Sequence, residues 1–257
     1  MNRNVVITGA TSGIGREFAE LFAKSGDSLL LTARSEDKLK AICQELKERF
    51  PKAQFEYIAC DLCKSEEIAR FSALLKEKRV DVLVNNAGFG ITGAFCENDS
   101  DELNEMMMLN MNCLVQLSHA VIPQMMARGK GGIINVASLA AFMPNPYGNV
   151  YAATKAFVRS FSLALSEEVK DSGITVTALC PGPTETGFGS RSGMGESRIF
   201  KSGVMNAKTV AKAGFCAFEN KRRSIVPGFR NKTLALAGVL APACIALPIA
   251  AVMLKKK

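Results

Sequence analysis

Tyr151 and Lys155 stand four positions apart, and Ser138 lies thirteen positions before the tyrosine. On a helix a four-residue step brings two side chains onto one face. A phenol, a primary amine and a hydroxyl held together suit one kind of chemistry, the delivery of a proton to an oxygen that is gaining negative charge. A free tyrosine ionises near ~10, so lowering that value to about 7 takes roughly 4 kcal/mol of selective stabilisation of the phenolate. A neighbouring ammonium group is suited to supply part of it. Tyr-x-x-x-Lys by itself also occurs as an ordinary exposed pair, so the surrounding sequence has to supply the rest of the site.

It does so first at the N-terminus. Thr8-Gly9-Ala10-Thr11-Ser12-Gly13-Ile14-Gly15 follows the apolar run Val5-Val6-Ile7, and a helical pattern opens from Gly13. Glycines let a backbone approach a pyrophosphate, while a helix N-terminus offers unpaired N–H groups and a partial positive charge. The second apolar run, Ser28 to Thr32, ends in Ala33-Arg34-Ser35 without an acid. A carboxylate there would hold a ribose 2′-hydroxyl, whereas Arg34 offers a forked cation to a 2′-phosphate. This favours NADP(H) over NAD(H). The competing reading makes Arg34 a solvated helix-start residue, with Arg16 as another phosphate partner.

These motifs must be positioned by elements that alternate. Short β-branched or leucine-rich runs recur at 4–8, 28–32, 54–58, 81–85, 132–137 and 174–180, with a seventh at 224–226. Helical apolar spacing fills the gaps, as in Phe18, Leu21, Phe22 or Leu39, Ile42, Leu46. The pattern predicts an α/β fold: a doubly wound, Rossmann-like parallel sheet of about seven strands with helices on both faces. In such sheets ligands bind beyond the carboxyl ends of the strands, which is where the motifs above fall. Residues 181–203 begin Pro-Gly-Pro, hold five further glycines and read as a mobile lid over that edge, with a plain surface loop as the competing reading.

With TGxxxGxG, Asn85-Asn86-Ala87-Gly88, and Ser138, Tyr151 and Lys155 in order, the chain resembles the short-chain dehydrogenase/reductase family from residue 4 to about 228. The resemblance implies an NADPH-dependent carbonyl reductase. In it Tyr151 donates the proton, Ser138 orients the carbonyl, and Lys155 lowers the tyrosine pKa and holds the cofactor ribose. It also implies that Asn110, in Leu109-Asn110-Met111-Asn112, is a fourth catalytic residue holding a water that relays protons to Lys155, although Asn112 stands close by. Cofactor contacts are implied for Thr8, Gly9, Thr11, Ser12, Gly13, Ile14, Gly15, Arg34, Asp61, Leu62, Asn86, Ala87, Gly88, Tyr151, Lys155, Pro181, Gly182 and Thr186. Asp61 has a second reading, as a cap of the helix that follows.

Composition limits what else is open. A chain of 257 residues, 48% apolar, suits one domain with a sizeable core. Its eight scattered cysteines suit a reducing compartment and need no disulfides. Cys60 and Cys63 form a CxxC with no second pair, and the lone His119 sits in an apolar helical pattern, so no metal site is expected. The formal charge is +8, with the unbalanced part C-terminal and no basic patch interleaved with aromatics, so nucleic acid is not an expected partner. No signal peptide is read before the first strand, and a cytoplasmic protein is expected. Homodimers or homotetramers are implied by resemblance, through long helices at 101–128 and 150–171.

The tail departs from the family pattern. Residues 1–230 read as the catalytic domain and 231–257 as an apolar C-terminal tail. Positions 233–254 carry no charge; their 22 residues would make a helix of ~33 Å, against a hydrocarbon thickness of ~30 Å. Pro242 and Pro248 interrupt the segment and basic residues flank both ends, which favours a shallow or re-entrant bend on the cytoplasmic face of a membrane over a span. The other reading packs the tail on the body as a wall of the substrate pocket. Resemblance to reductases with extended apolar tails implies a lipophilic ketone or 3-oxoacyl-type substrate. The competitors are an NADP-linked dehydrogenase of a small polar alcohol and a non-catalytic NADP-binding regulator of a membrane partner.

Overall fold

The computed structural model describes residues 2–191 and 203–254. Its strands are β1 (Asn4–Thr8), β2 (Ser28–Ala33), β3 (Phe55–Ala59), β4 (Val82–Asn85), β5 (Gly131–Val136) and β6 (Ile174–Leu179). A pair formed by β7 (Thr184–Glu185) and β8 (Met205–Asn206) stands apart, and β9 (Ser224–Ile225) completes the main sheet. The order is β3-β2-β1-β4-β5-β6-β9, and every neighbour is parallel. The expected doubly wound sheet is therefore present, with seven strands.

Parallel strands covered on both faces need apolar side chains on both faces, and these runs supply them. Val5, Ile7, Leu29, Leu31, Val82 and Val84 enter one core with α1 (Gly13–Lys24) and α2 (Glu36–Arg49). Val6, Leu30, Leu83, Ile133 and Val176 enter the other with α3 (Ser65–Glu77). The expected helix at 101–128 is three pieces: α4 (Ser100–Met107), a π-helical turn at Met108–Cys113, and α5 (Leu114–Ala127). Next come α6 (Asn149–Glu168), the short α7 (Phe188–Arg191) and α8 (Ala207–Glu219), the last packed on α1. His119, expected inside an apolar helix face, is exposed on α5.

A buried polar network ties the sheet to α5 and α6. Asn85 Nδ2 donates to Ser118 Oγ (3.2 Å) and to Asn135 Oδ1 (2.9 Å), and Asn135 Nδ2 donates to Ser162 Oγ (2.9 Å). The Ser162 hydroxyl donates in turn to Val158 O. These partners remove the penalty of burying amides and hydroxyls between two layers, and they set α6 against β5.

Between β1 and β4 the sheet order reverses, opening the crevice where a ligand fits. The segment read as a lid contains the β7 strand and α7; its residues 192–202 lie outside those described. The tail forms two helices, α9 (Phe229–Leu240) and α10 (Ala243–Leu254), separated at Ala241–Pro242. Proline fixes φ and has no N–H to continue the first helix. At 12 residues each would be about 18 Å long. No described helix is long and apolar enough to cross a membrane. The single helix of ~33 Å considered for 233–254 is thus replaced by two short ones.

Candidate active site

The turn after β1 works because two of its positions must be glycine. Gly9 has φ +66°, and a side chain on it would press within 2.9 Å of Asn86 Nδ2. Gly13 has φ +53°, and a β-carbon would come within 2.7 Å of Thr186. Thr8 is buried under this turn: its hydroxyl donates to Val84 O and accepts from the backbone N–H groups of Asn86 and Ala87. Asn86 Nδ2 in turn donates to the carbonyls of Thr8 and Gly9. The ends of β1 and β4 are thereby knotted into one rim. Ser12 begins α1 without capping it through its side chain, and the first turn holds no acid. The N–H groups there remain available to an anion.

A cavity of about 1060 Å³ runs from this rim along the carboxyl edge of the sheet. Gly9, Thr11, Ser12, Gly13 and Ile14 line it, as do Arg34, Asp61, Leu62, Asn86, Ala87 and Gly88. At the other end it is lined by Ser138, Tyr151, Lys155, Pro181, Gly182 and Thr186. Three expected residues do not reach it. Thr8 acts from beneath the turn, and Gly15 packs so closely that a β-carbon would fall 2.4 Å from Gly9 O.

Asn110, the third, is buried in the π-helical turn, where its Nδ2 donates to Phe89 O (2.9 Å) and Thr154 Oγ1 (3.0 Å) and its Oδ1 accepts from Phe89 N (3.2 Å). Both amide protons are used, so only Oδ1 has capacity left for a further donor. The structure separates Asn110 from Asn112, whose side chain is exposed and accepts from Gln116. Asn110 Oδ1 and Lys155 Nζ both face the open side of Gly88, at 2.8 and 3.3 Å from where its β-carbon would sit.

Tyr151 and Lys155 share a face of α6, with the lysine nitrogen 5.9 Å from the centre of the tyrosine ring. Lys155 Nζ donates to Val136 O (2.9 Å) at the end of β5. Burial disfavours its charged form and brings its pKa down to about 8. The same burial pushes the Tyr151 phenol up to about 12, against a hydrogen bond with Ser138 that pulls it down. Ser138 is held in place by accepting from Ala140 N (3.1 Å) at the start of a 3-10 turn, Leu139–Phe142. Phe188 covers the tyrosine ring at 5.4 Å.

At the far end Arg34, just before the N-cap of α2, is joined by Lys38 in that helix's first turn, and neither makes an ion pair among the described residues. Lys38 was not singled out by any motif in the sequence. Arg16, the competing phosphate partner, is engaged elsewhere: it pairs with Glu45 at 2.6 Å and does not line the cavity. Asp61 lines the cavity and closes the turn after β3 by accepting from Cys63 N (3.2 Å), while α3 starts from Lys64. Cys60 and Cys63 have thiols pushed up to about 11 by burial, and among the described residues no group of three or more side chains is set to hold a metal.

The tail supplies much of the remaining wall. Leu234, Ala237 and Gly238 of α9 and Ile245, Ala246, Ile249 and Met253 of α10 line the cavity. A β-carbon on Gly238 would meet Met143 and the carbonyl of Phe142, so a glycine lets α9 lie directly on the turn that carries Ser138. Asn231, buried at the base of α9, donates to Pro227 O and presses on Gly182. No motif in the sequence pointed to it.

A family profile described as short chain dehydrogenase matches residues 3–196. Sulfoacetaldehyde reductase of Chromohalobacter salexigens is 40% identical over 188 residues, covering 72% of this chain and 73% of that protein. A short-chain dehydrogenase from Sphingobium yanoikuyae, solved in complex with NADPH, superposes with a TM-score of 0.84 at 32% identity and 92% coverage of both chains. A bulky-bulky ketone specific alcohol dehydrogenase from Comamonas testosteroni gives 0.79 at 30% identity and 91% coverage of both.

Proposed function

Since the chain belongs to the short-chain dehydrogenase family and is an NAD(P)-dependent oxidoreductase, we propose that it uses NADPH to reduce bulky apolar ketones, 3-oxoacyl-type carbonyls included, to secondary alcohols. The observation that carries this reading is the cavity itself, in which Tyr151 and Ser138 open onto walls of leucine, isoleucine, alanine and methionine from α9 and α10. A polar substrate would leave such walls unused and its own groups unpaired.

The residues present fit a dinucleotide. The side-chain-free turn at Gly9 and Gly13 and the uncapped start of α1 suit the pyrophosphate, Asp61 and Leu62 flank the adenine end, and Arg34 with Lys38 suits a 2′-phosphate. When bound, the nicotinamide cofactor supplies the hydride. A carbonyl oxygen set between Ser138 and Tyr151 accepts a hydrogen bond from each, and both bonds strengthen as negative charge gathers on it. Burial keeps Tyr151 as a neutral phenol, the form that gives a proton to the developing alkoxide. The phenolate left behind is stabilised by the Lys155 ammonium. The phenolate then regains its proton from Lys155, which would also hold the cofactor ribose, and Asn110, through the remaining capacity of Oδ1, holds a water that returns a proton to Lys155.

Subunit association through the outer sides of α5 and α6, where Met126 and Phe157 stay exposed, belongs to the same proposal. The test is NADPH oxidation by the purified protein against ketones graded from short and polar to long and apolar, beside the Tyr151→Phe variant. Turnover should rise with apolar bulk and vanish in the variant, with NADPH binding retained. A preference for small polar carbonyls would overturn the substrate reading. Turnover that survived the loss of the phenol would overturn the mechanism.

A further inference from the structure

Nine of the thirteen large apolar side chains that stand exposed among the described residues lie between Phe229 and Val252. Leu236 is 61% exposed, Val239 59%, Leu240 70% and Val252 58%, and none of these four lines the cavity. They are outer positions of helices whose inner positions wall the site. Patches of this kind on a monomer mark a surface that meets something apolar.

Charge identifies the partner. Beyond Glu219 the chain has eight basic residues and no acid, which accounts for its whole formal charge of +8. Lys232 lies in the first turn of α9, and Lys255, Lys256 and Lys257 follow α10 in sequence. A second copy of the chain would set two such tails, both strongly cationic, against each other. An anionic lipid surface accepts both features, apolar side chains below the headgroups and lysines among them. Two helices of about 18 Å are too short to cross a hydrocarbon layer of about 30 Å, so they lie in its face.

We infer that α9 and α10 dock the protein on an anionic lipid surface, and that apolar substrate passes from that surface into the cavity between them. Ile245 and Ile249 carry the second half of this inference. Each lines the cavity and is more than half exposed, at 55% and 60%, so the outer surface and the cavity wall meet on one helix. The entry route rests on the apolar-substrate reading above; the docking does not.

The test is sedimentation of the full chain with vesicles of phosphatidylcholine alone or mixed with phosphatidylglycerol, without substrate. The native protein should bind the mixed vesicles and release as salt rises. The triple variant Leu236→Glu, Val239→Glu, Leu240→Glu should bind on the order of a thousandfold weaker, since each side chain withdrawn from lipid is worth about tenfold. Its NADPH binding and its turnover of a water-soluble ketone should stay unchanged, which shows that it has folded. Replacing Lys255, Lys256 and Lys257 by Gln should weaken binding about fivefold per lysine. Native protein that stays in solution with both vesicle types overturns the docking, as does a glutamate variant that binds equally well. A native assembly dispersed by the glutamate variant without any vesicle binding overturns it too, assigning the face to self-association. Docking without turnover of any apolar ketone would instead remove the entry route and the substrate reading, leaving the docking intact.

Discussion

Arg34→Ala should weaken the proposed preference for NADPH, and the size of the change can be worked from the site. Arg34 and Lys38 both line the cavity beyond the end of β2, both side chains are exposed, and neither is engaged in an ion pair among the described residues. Nothing has to be broken before they meet a phosphate. Exposure screens each contact, which holds a charge-assisted pair near the low end of its range, about 1.5 kcal/mol for the forked guanidinium and about 1 kcal/mol for the ammonium. Since about 1.4 kcal/mol is a factor of ten, kcat/KM for NADPH should fall roughly tenfold in Arg34→Ala, about fivefold in Lys38→Ala, and somewhat under a hundredfold in the double variant. NADH carries no 2′-phosphate, and its kcat/KM should stay within about twofold. The assay is initial-rate kinetics with each cofactor on one ketone, read from the absorbance of the reduced nicotinamide. Equal losses with both cofactors would refute the reasoning, because they would place the two cations in general binding or in folding.

Four other outcomes follow from the geometry. Reduction should slow as pH rises through about 8, where Lys155 loses the charge that stabilises the phenolate; a rate flat from pH 7 to about 10 would exclude that role. The sign for stability is opposite: Lys155 is depressed below its unfolded value, so the unfolded chain binds more protons between the two and the cofactor-free protein should gain stability over the same rise, measurable by thermal unfolding. Asn135→Ala should cost about 2 kcal/mol in denaturant unfolding, because it removes a partner from each of the buried groups Asn85 and Ser162. Gly15→Ala should cost more in cofactor affinity than in fold, since its β-carbon would push into Gly9 O and Asn86 Nδ2 and distort the phosphate turn; cofactor titration against unfolding separates the two.

Much of this protein was legible without coordinates. Alternating apolar runs dictate a parallel sheet because strands buried on both faces must be apolar throughout, and the glycine turn, Asn85-Asn86-Ala87-Gly88 and Tyr151-x-x-x-Lys155 are local patterns whose spacing survives folding. The seven strands fall within a residue or two of their expected runs for that reason. Where contacts join distant segments, the sequence was silent. Whether Asn110 or Asn112 turned inward depended on a π-helical turn, and Arg16 pairs away from the cavity with Glu45, twenty-nine positions on. The network of Asn85, Ser118, Asn135 and Ser162 has no linear signature at all. For the tail, composition showed that it is apolar and flanked by lysines, and Pro242 marked where a helix would break. Only packing decided that Gly238 would seat α9 on the Ser138 turn, giving one face of the tail to the cavity and leaving the other exposed. A segment apolar on every side carries no periodic pattern to say which side turns inward, so tertiary contacts alone could choose it.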